Sequence, residues 1–315
     1  MQDLMVILET GFIFALVSMG VYITYKILDF PDLSVDGTFP LGAAISAILL
    51  TMGVNPWISL LAAALGGALA GATTAFLHVK LKISNLMSGI LVMIALYSIN
   101  LRIMDGKSNI PLFEVDTVFT SDGSKLLLVA VIMIIIKVLF DLFLKTKQGL
   151  LLVAVGDNEQ VITTIGANKD NVKILGLMLS NGLVALAGGL QAQYNRFADV
   201  GMGTGLVVTG LAAVIIGVSL LSKLKVHLKD KDYYLKVTTL AIIGAILYKA
   251  AITVALRMNL NPNDLKVLTA VVVVIALSAN SGVFKRKKKR TITKIDETSK
   301  GGVIDAKDTK AAEGF

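Results

Sequence analysis

Long apolar runs separated by short polar connections fill most of the chain. Nine of them approach the roughly 17 to 25 residues that a helix needs to cross about 30 Å of hydrocarbon. They fall at 11–27, 39–54, 56–77, 86–101, 126–143, 172–190, 203–221, 233–256 and 265–279. The second, fourth and ninth are short for that thickness, so tilt, extension by flanking residues or a re-entrant course inside the protein is expected of them. The pattern predicts an all-α, polytopic helical membrane protein of about nine transmembrane helices, with its membrane domain over 1–283. The remainder, 284–315, is too polar to bury a core and reads as a basic, disordered cytosolic tail. One polar stretch breaks the rhythm, GDNEQVITTIGANKDN, residues 156–171, between the fifth and sixth runs.

Composition agrees with a bilayer as solvent: 55% of residues are hydrophobic, 17% are charged and the mean hydropathy is +0.76. The opening MQDLMVILETG carries Asp3 and Glu9 and no Lys or Arg, so it lacks the basic start of a cleavable signal, and the first span is expected to remain in the mature protein. Placing the N-terminus outside puts 22 basic residues on inner connections and the tail, against six outside: Arg102, Lys107, Lys125, Arg196, Arg257 and Lys266. Excess inner basic charge predicts an N-out, C-in orientation. The cluster KRKKKR after the last span serves as a topogenic stop, and it also attracts anionic membrane lipid at roughly 1 kcal/mol per residue. No aromatic residues interleave with it, which argues against nucleic acid. Cysteine is absent, which excludes disulfides and thiolate chemistry.

No soluble domain and no G-x-x-x-x-G-K-[ST] phosphate loop are present, so ATP chemistry would have to come from another chain. GMGTG, at 201–205, reads as close backbone packing or a break at the mouth of a pathway, and Gly67 and Gly71 have the small-xxx-small spacing of helix packing. Catalysis has no nucleophile or base constellation. His78 and His227 lack partners for one, and no cofactor or metal is expected. Asp29, Asp32 and Asp36 surround Pro31 and an Asp-Gly signal, which favours caps and turns over a cation site.

Within 156–171, Asp157 can cap a short helix with Gln160 three residues on. Val161, Ile162 and Ile165 then share one side and Gly166 stops it. A helix of about two turns is marginal alone in water. Its apolar side therefore needs the membrane domain, lipid or a docked protein, and a docking element and a plain connector both remain open.

Polar residues inside spans are candidates for a solute route. They are Ser88, Asn100, Asn181, Gln191 and Thr209, with interhelical hydrogen bonding as the competing role. Lys137 and Asp141, at i and i+4, are expected to pair. Lys249 lies ~24 Å beyond Tyr233, where it can snorkel outward or serve a proton or substrate.

GDNEQVITTIGANKDNVKILGLMLSNGLVALAGGL resembles the signature of permease subunits of ATP-binding-cassette importers of the branched-chain amino acid and ribose family. FPDLSVDGTFPLGA resembles that family's Asp-Leu-Ser-Val-Gly segment, interrupted here by Asp36. TGLAAVIIGVSLL resembles its Ala-Ala-Val-x-x-Gly-Gly span, with Val218 in place of the second Gly. NLMSGILVMIALYSINLRIMDGKSNIPLF is similar to permeases for tryptophan/tyrosine-type uptake. The resemblance extends over about 11–282. It implies that 156–168 is the coupling helix, with Gly156, Asp157, Asn158, Glu159, Val161, Ile162, Ile165 and Gly166 at an ATPase subunit. It further implies two permease copies around one pathway, an extracytoplasmic solute-binding protein, a small amino acid as solute, aromatic by the last similarity, and a bacterial plasma membrane. The family often has ten spans, and this chain resembles one that begins at the second. A secondary transporter or channel is the alternative, and a non-transporting membrane scaffold is a third class.

Overall fold

The computed structural model describes residues 2–120, 123–164, 166–223 and 233–257, with 267, 269–271, 273 and 274 beyond them. Ten α-helices, α1 to α10, make up the described fold. α1 (Gln2–Tyr22) continues through a π turn at Ile23–Ile27. After it come α2 (Val35–Thr51), α3 (Pro56–Val79), α4 (Asn85–Ile103), α5 (Lys125–Lys145), α6 (Lys147–Asp157), α7 (Glu159–Thr164), α8 (Lys169–Asn195), α9 (Leu206–Lys223) and α10 (Tyr233–Arg257). Local chemistry sets several boundaries. Asn55 Oδ1 accepts from the Trp57 N–H at 2.9 Å, with Pro56 at the first helical position of α3. Asn168 Oδ1 likewise accepts from the Asp170 N–H at 2.9 Å to start α8.

α8 and α1 are the two hubs. α8 packs along α3, α2 and α1, and α1 packs in turn against α10, α9 and α5. Small residues let α3 approach α8 closely: a Cβ on Gly71 would lie 2.2 Å from the Leu177 carbonyl oxygen, and one on Gly67 2.4 Å from that of Asn181. The small-xxx-small pair is therefore used within the chain. The outer surfaces of α3, α4 and α5 expose Leu61, Leu65, Leu69, Ile94, Leu127 and Leu139, a greasy exterior that suits lipid. Lys137 and Asp141 pair as expected, and Thr238 donates to Asp141 Oδ1 at 2.9 Å, tying α5 to α10.

Six described helices are long and apolar enough to cross a membrane: Asp3–Ile27, Pro56–Val79, Asn85–Ile103, Lys125–Lys145, Lys169–Asn195 and Thr238–Ala255. The second and seventh predicted spans are different. α2 and α9 are shorter, and both start inside the bundle. Thr38 of α2 meets Asn181, and Ser46 meets Gln193, so α2 starts beside the middle of α8 and runs parallel to it. α9 starts where Gly205 and Val207 meet Asp36, the second residue of α2. It then runs antiparallel to α10, with Gly217 against Leu240 and Gly244 against Ala213. Since α1 is antiparallel to both α8 and α10, α2 and α9 lead away from their meeting point in opposite directions. The reason is local: Pro31 and the positive φ of Asp29 (50°) break the chain before α2, and glycines break it before α9.

The all-α expectation needs one amendment. β1 (Asn109–Pro111) pairs antiparallel with β2 (Phe197–Asp199), Ile110 opposite Ala198. The expected ninth span, apart from a few of its residues, and the whole tail at 284–315 lie outside the described residues, as does His227.

Candidate functional site

Asp32, Ser34, Thr38 and Asn181 form one buried network at the start of α2. Asp32 Oδ1 accepts from the Ser34 N–H at 2.8 Å, and Oδ2 accepts from Asn181 Nδ2 at 2.8 Å. Asn181 Oδ1 accepts from the Thr38 hydroxyl at 2.8 Å and the Ser34 hydroxyl at 3.2 Å. Asn181 is fully enclosed, so this predicted pathway residue is a structural clasp that holds the unwound segment before α2 against α8. Asp32 and Asp36 serve as turn and cap groups, and Asp29 stands at φ 50° before Pro31.

Asp36 makes the second junction. Its Oδ2 accepts from the Gly205 N–H and its Oδ1 from the Val207 N–H, both at 2.8 Å, so a carboxylate on one half-helix satisfies the positive end of the other. Pro40, one turn on, has no N–H to offer the Asp36 carbonyl. The Gly203 backbone closes on that oxygen instead, where a Cβ would come within 2.0 Å. Asp36, a departure from the family pattern, is thus a central member of the site.

A cavity of about 390 Å³ opens beside this junction, between α2, α4 and the loop that leads to α9. Its walls include Asp36, Met93, Tyr97, Asn100, Val200 and Thr204. Asn100 is 1% exposed and donates its amide to the Gly37 carbonyl at 3.1 Å, which fixes which amide atom is which. Its Oδ1 has no hydrogen-bond partner. A buried acceptor left without a donor is costly, and this one is shut off from the open space that the residue borders. Among the described residues no Lys or Arg lines this cavity.

The remaining predicted pathway residues divide. Gln191 donates to Asn195 Oδ1 at 2.8 Å and lines a second cavity of about 220 Å³. Ser88 is buried and bonds back to the Ser84 carbonyl at 3.0 Å. Thr209 bonds back to the Leu206 carbonyl at 2.9 Å. Neither lines a cavity described here. Sequence reasoning missed Tyr97 and Asp36 as lining groups. For Asp36 the available signal was its intrusion into the Val-Gly pair.

The polar stretch after α6 folds as expected in outline, with two corrections. Asp157 ends α6, and Asn158 is the cap, accepting the Gln160 N–H at 2.9 Å. α7 then closes through Gly166 N–H to the Thr163 carbonyl and Ala167 N–H to the Ile162 carbonyl, each 3.1 Å, with Gly166 at φ 74°. Gly166 supplies the stop, as predicted. Ile162 is fully buried in the chain's own core, so it anchors α7 to the membrane domain and offers nothing to a partner. The exposed groups are Asp157, Asn158, Gln160, Thr163, Thr164, Gly166, Asn168 and Asn171. Ile165 and the side chains of Glu159 and Val161 lie outside the described residues. Gly156 is in contact with the end of the π turn, where a Cβ would come within 1.6 Å of the Ile27 carbonyl oxygen. A polar cleft of about 330 Å³, lined by Asp29, Asn85, Asn158 and Lys173, separates these elements from α4.

Two half-helices meeting inside a bundle of long apolar helices, next to a cavity, are an arrangement found in membrane transport proteins. The match to known proteins gives the family. The chain belongs to the branched-chain amino acid transport system / permease component family, whose model matches residues 4–278. It is 46% identical over 288 residues to the tyrosine transport system permease protein of Clostridioides difficile, covering 91% of this chain and 95% of that one. It is 28% identical over 257 residues to a galactofuranose transporter permease protein of Escherichia coli, covering 80% and 72%. A probable branched-chain amino acid transport permease protein of Methanocaldococcus jannaschii is 25% identical over 232 residues, covering 67% and 73%. No solved structure matches. The chain is thus the permease component of an ATP-binding-cassette transport system, a multi-pass protein of the bacterial plasma membrane.

Proposed function

We propose that this chain forms the pathway of an ATP-driven importer for a small amino acid, aromatic in the first instance. The observation that carries the reading is the direct seating of Gly156, where the polar stretch begins, against the π turn that leads into the α2 clasp. In this reading a cytosolic ATPase subunit docks on the exposed side of α7 and its flanks. Its closure moves α6, and Gly156 passes the displacement to Ile27 and the unwound segment. The orientation is N-out, C-in, two copies surround the route, and an extracytoplasmic binding protein delivers the solute. The basic tail faces anionic lipid. ATP is hydrolysed on the ATPase, and this chain needs no cofactor of its own.

The cavity at Asn100 supports an amine-bearing solute. Its Asp36 carboxylate suits an ammonium, and Met93, Tyr97 and Val200 suit an apolar or aromatic body. The tyrosine permease relative agrees with that chemistry. The test is uptake of labelled tyrosine into proteoliposomes holding the chain with its ATPase and binding protein. ATP-dependent accumulation is expected, and it should vanish with Thr163→Asp plus Thr164→Asp, exposed changes that spare the Ile162 anchor. Retained ATPase capture by that double variant would reduce the stretch to a connector.

Half-helices meeting in mid-bundle also occur in secondary transporters, which keeps that as a second reading. Uptake by the chain without ATPase or nucleotide would establish it instead.

A further inference from the structure

Lys249 does not snorkel to the surface. It is partly buried on α10, and its Nζ lies 4.7 Å from the centre of the Phe14 ring on α1. A cation over an aromatic face is favoured electrostatically, more so where water is scarce. That contact leaves the charge without an anion. Among the described residues no carboxylate lies within ion-pair distance of Lys249. The acids on helices packed around α10 are engaged elsewhere. Asp3 pairs with Arg257, Glu9 accepts from the Tyr194 hydroxyl at 2.7 Å, and Asp141 holds Lys137 and Thr238.

The ammonium lines the 220 Å³ cavity. Its polar lining is Lys249 with the amides of Gln191 and Asn195, and its apolar lining is Ile13, Phe14, Phe39, Met202 and Leu206. A partly buried cation with no anion among the described residues is costly unless an anion joins it. The walls specify the rest of that anion: one charged group for the ammonium and amides, and an apolar body no larger than an amino acid side chain.

We infer that this cavity is a carboxylate-binding site, in which Lys249 holds a small aliphatic or aromatic carboxylate with Gln191 and Asn195 beside it. The inference itself rests on this cavity alone.

The test is equilibrium binding of tritiated 3-phenylpropionate to the full chain in lipid nanodiscs, beside ATP-driven tyrosine uptake by the assembled transporter. Saturable binding is expected, competed by L-phenylalanine and not by phenethylamine, which lacks the carboxylate. Lys249→Met should weaken binding roughly tenfold or more, as loss of a charge-assisted contact does, and Lys249→Arg should retain most of it. Absence of binding by the wild type, competition by phenethylamine equal to that by L-phenylalanine, or unchanged binding by Lys249→Met would overturn the site. The competition series needs no variant, so a misfolded Lys249→Met protein does not protect the inference. Uptake without 3-phenylpropionate binding removes the site and leaves the importer standing; binding without uptake does the reverse.

Discussion

The two half-helices start at the same depth yet are held in opposite ways. The start of α2 is clasped by several groups: Asp32, Ser34, Thr38 and Asn181 are buried and satisfy one another, although Asp36, Gly37 and Pro40 of its first turns face the Asn100 cavity. The start of α9 rests on the single carboxylate of Asp36, with the Asn100 cavity against the loop that leads to it and the Lys249 cavity against Leu206. Packed interiors resist displacement because every neighbour must move with them, whereas free volume permits it. The difference makes α2 the fixed member and α9 the movable one.

A large effect should fall on the fixed side. Asn181→Leu removes the amide donor to Asp32 Oδ2 and the shared acceptor of Ser34 and Thr38, a loss of about 1.5 to 3 kcal/mol as for a hydrogen bond to a charged group. Thermal unfolding in detergent reads it, and an unchanged midpoint would mean that the clasp is not the anchor. Gly203→Ala forces a Cβ onto the Asp36 carbonyl. Overpacking of backbone against backbone should destabilise by about 2 to 3 kcal/mol, and a fully stable Gly203→Ala protein would show that the α9 start yields even more readily than described. Asp36→Asn keeps the shape and removes the charge at the α9 N-terminus, worth about 1 to 2 kcal/mol. Here uptake should fall more than the unfolding temperature does, and a proportionate fall in both would erase the distinction between the two starts. Gly166→Ala, far from either start, puts a side chain at φ 74° for about 1 kcal/mol. Weaker ATPase capture with normal folding is the expected result, measured by pull-down in detergent.

The long helices were legible in the sequence because hydropathy reports the preference of a segment for lipid, and six of the apolar runs obey it as full-length helices. Run length marked the second span, α2, as short, but the same measure could not show that α9 stops short or that both start inside the bundle. Their apolar residues are buried in protein, and what distinguishes them is polar chemistry with partners far along the chain: Asp32 and Asn181 are 149 residues apart. The α7 region was readable from its turn residues, yet the cap moved from Asp157 to Asn158. The choice between two adjacent cap formers depends on where α6 ends, which packing decides. Ile162 shows the limit of amphipathic reasoning, since an apolar side identifies a buried face without saying what buries it. The β1–β2 pair escaped notice because three residues per strand carry no periodicity. Lys249 was visible as an intramembrane charge, but its destination depended on Phe14, 235 positions upstream.

The Asp32–Asn181 bond also sets an order of events during biosynthesis. α2 leaves the ribosome with Asp32 and Thr38 bonded only to Ser34 of the same segment, while Asn181, which completes the network, is 149 positions from Asp32 and still unmade. Until α8 arrives, this segment is too polar at its start and too short to settle across the bilayer alone. Its insertion therefore waits on α8, and a chain released before residue 181 would carry an unfinished α2 that quality-control proteases can recognise.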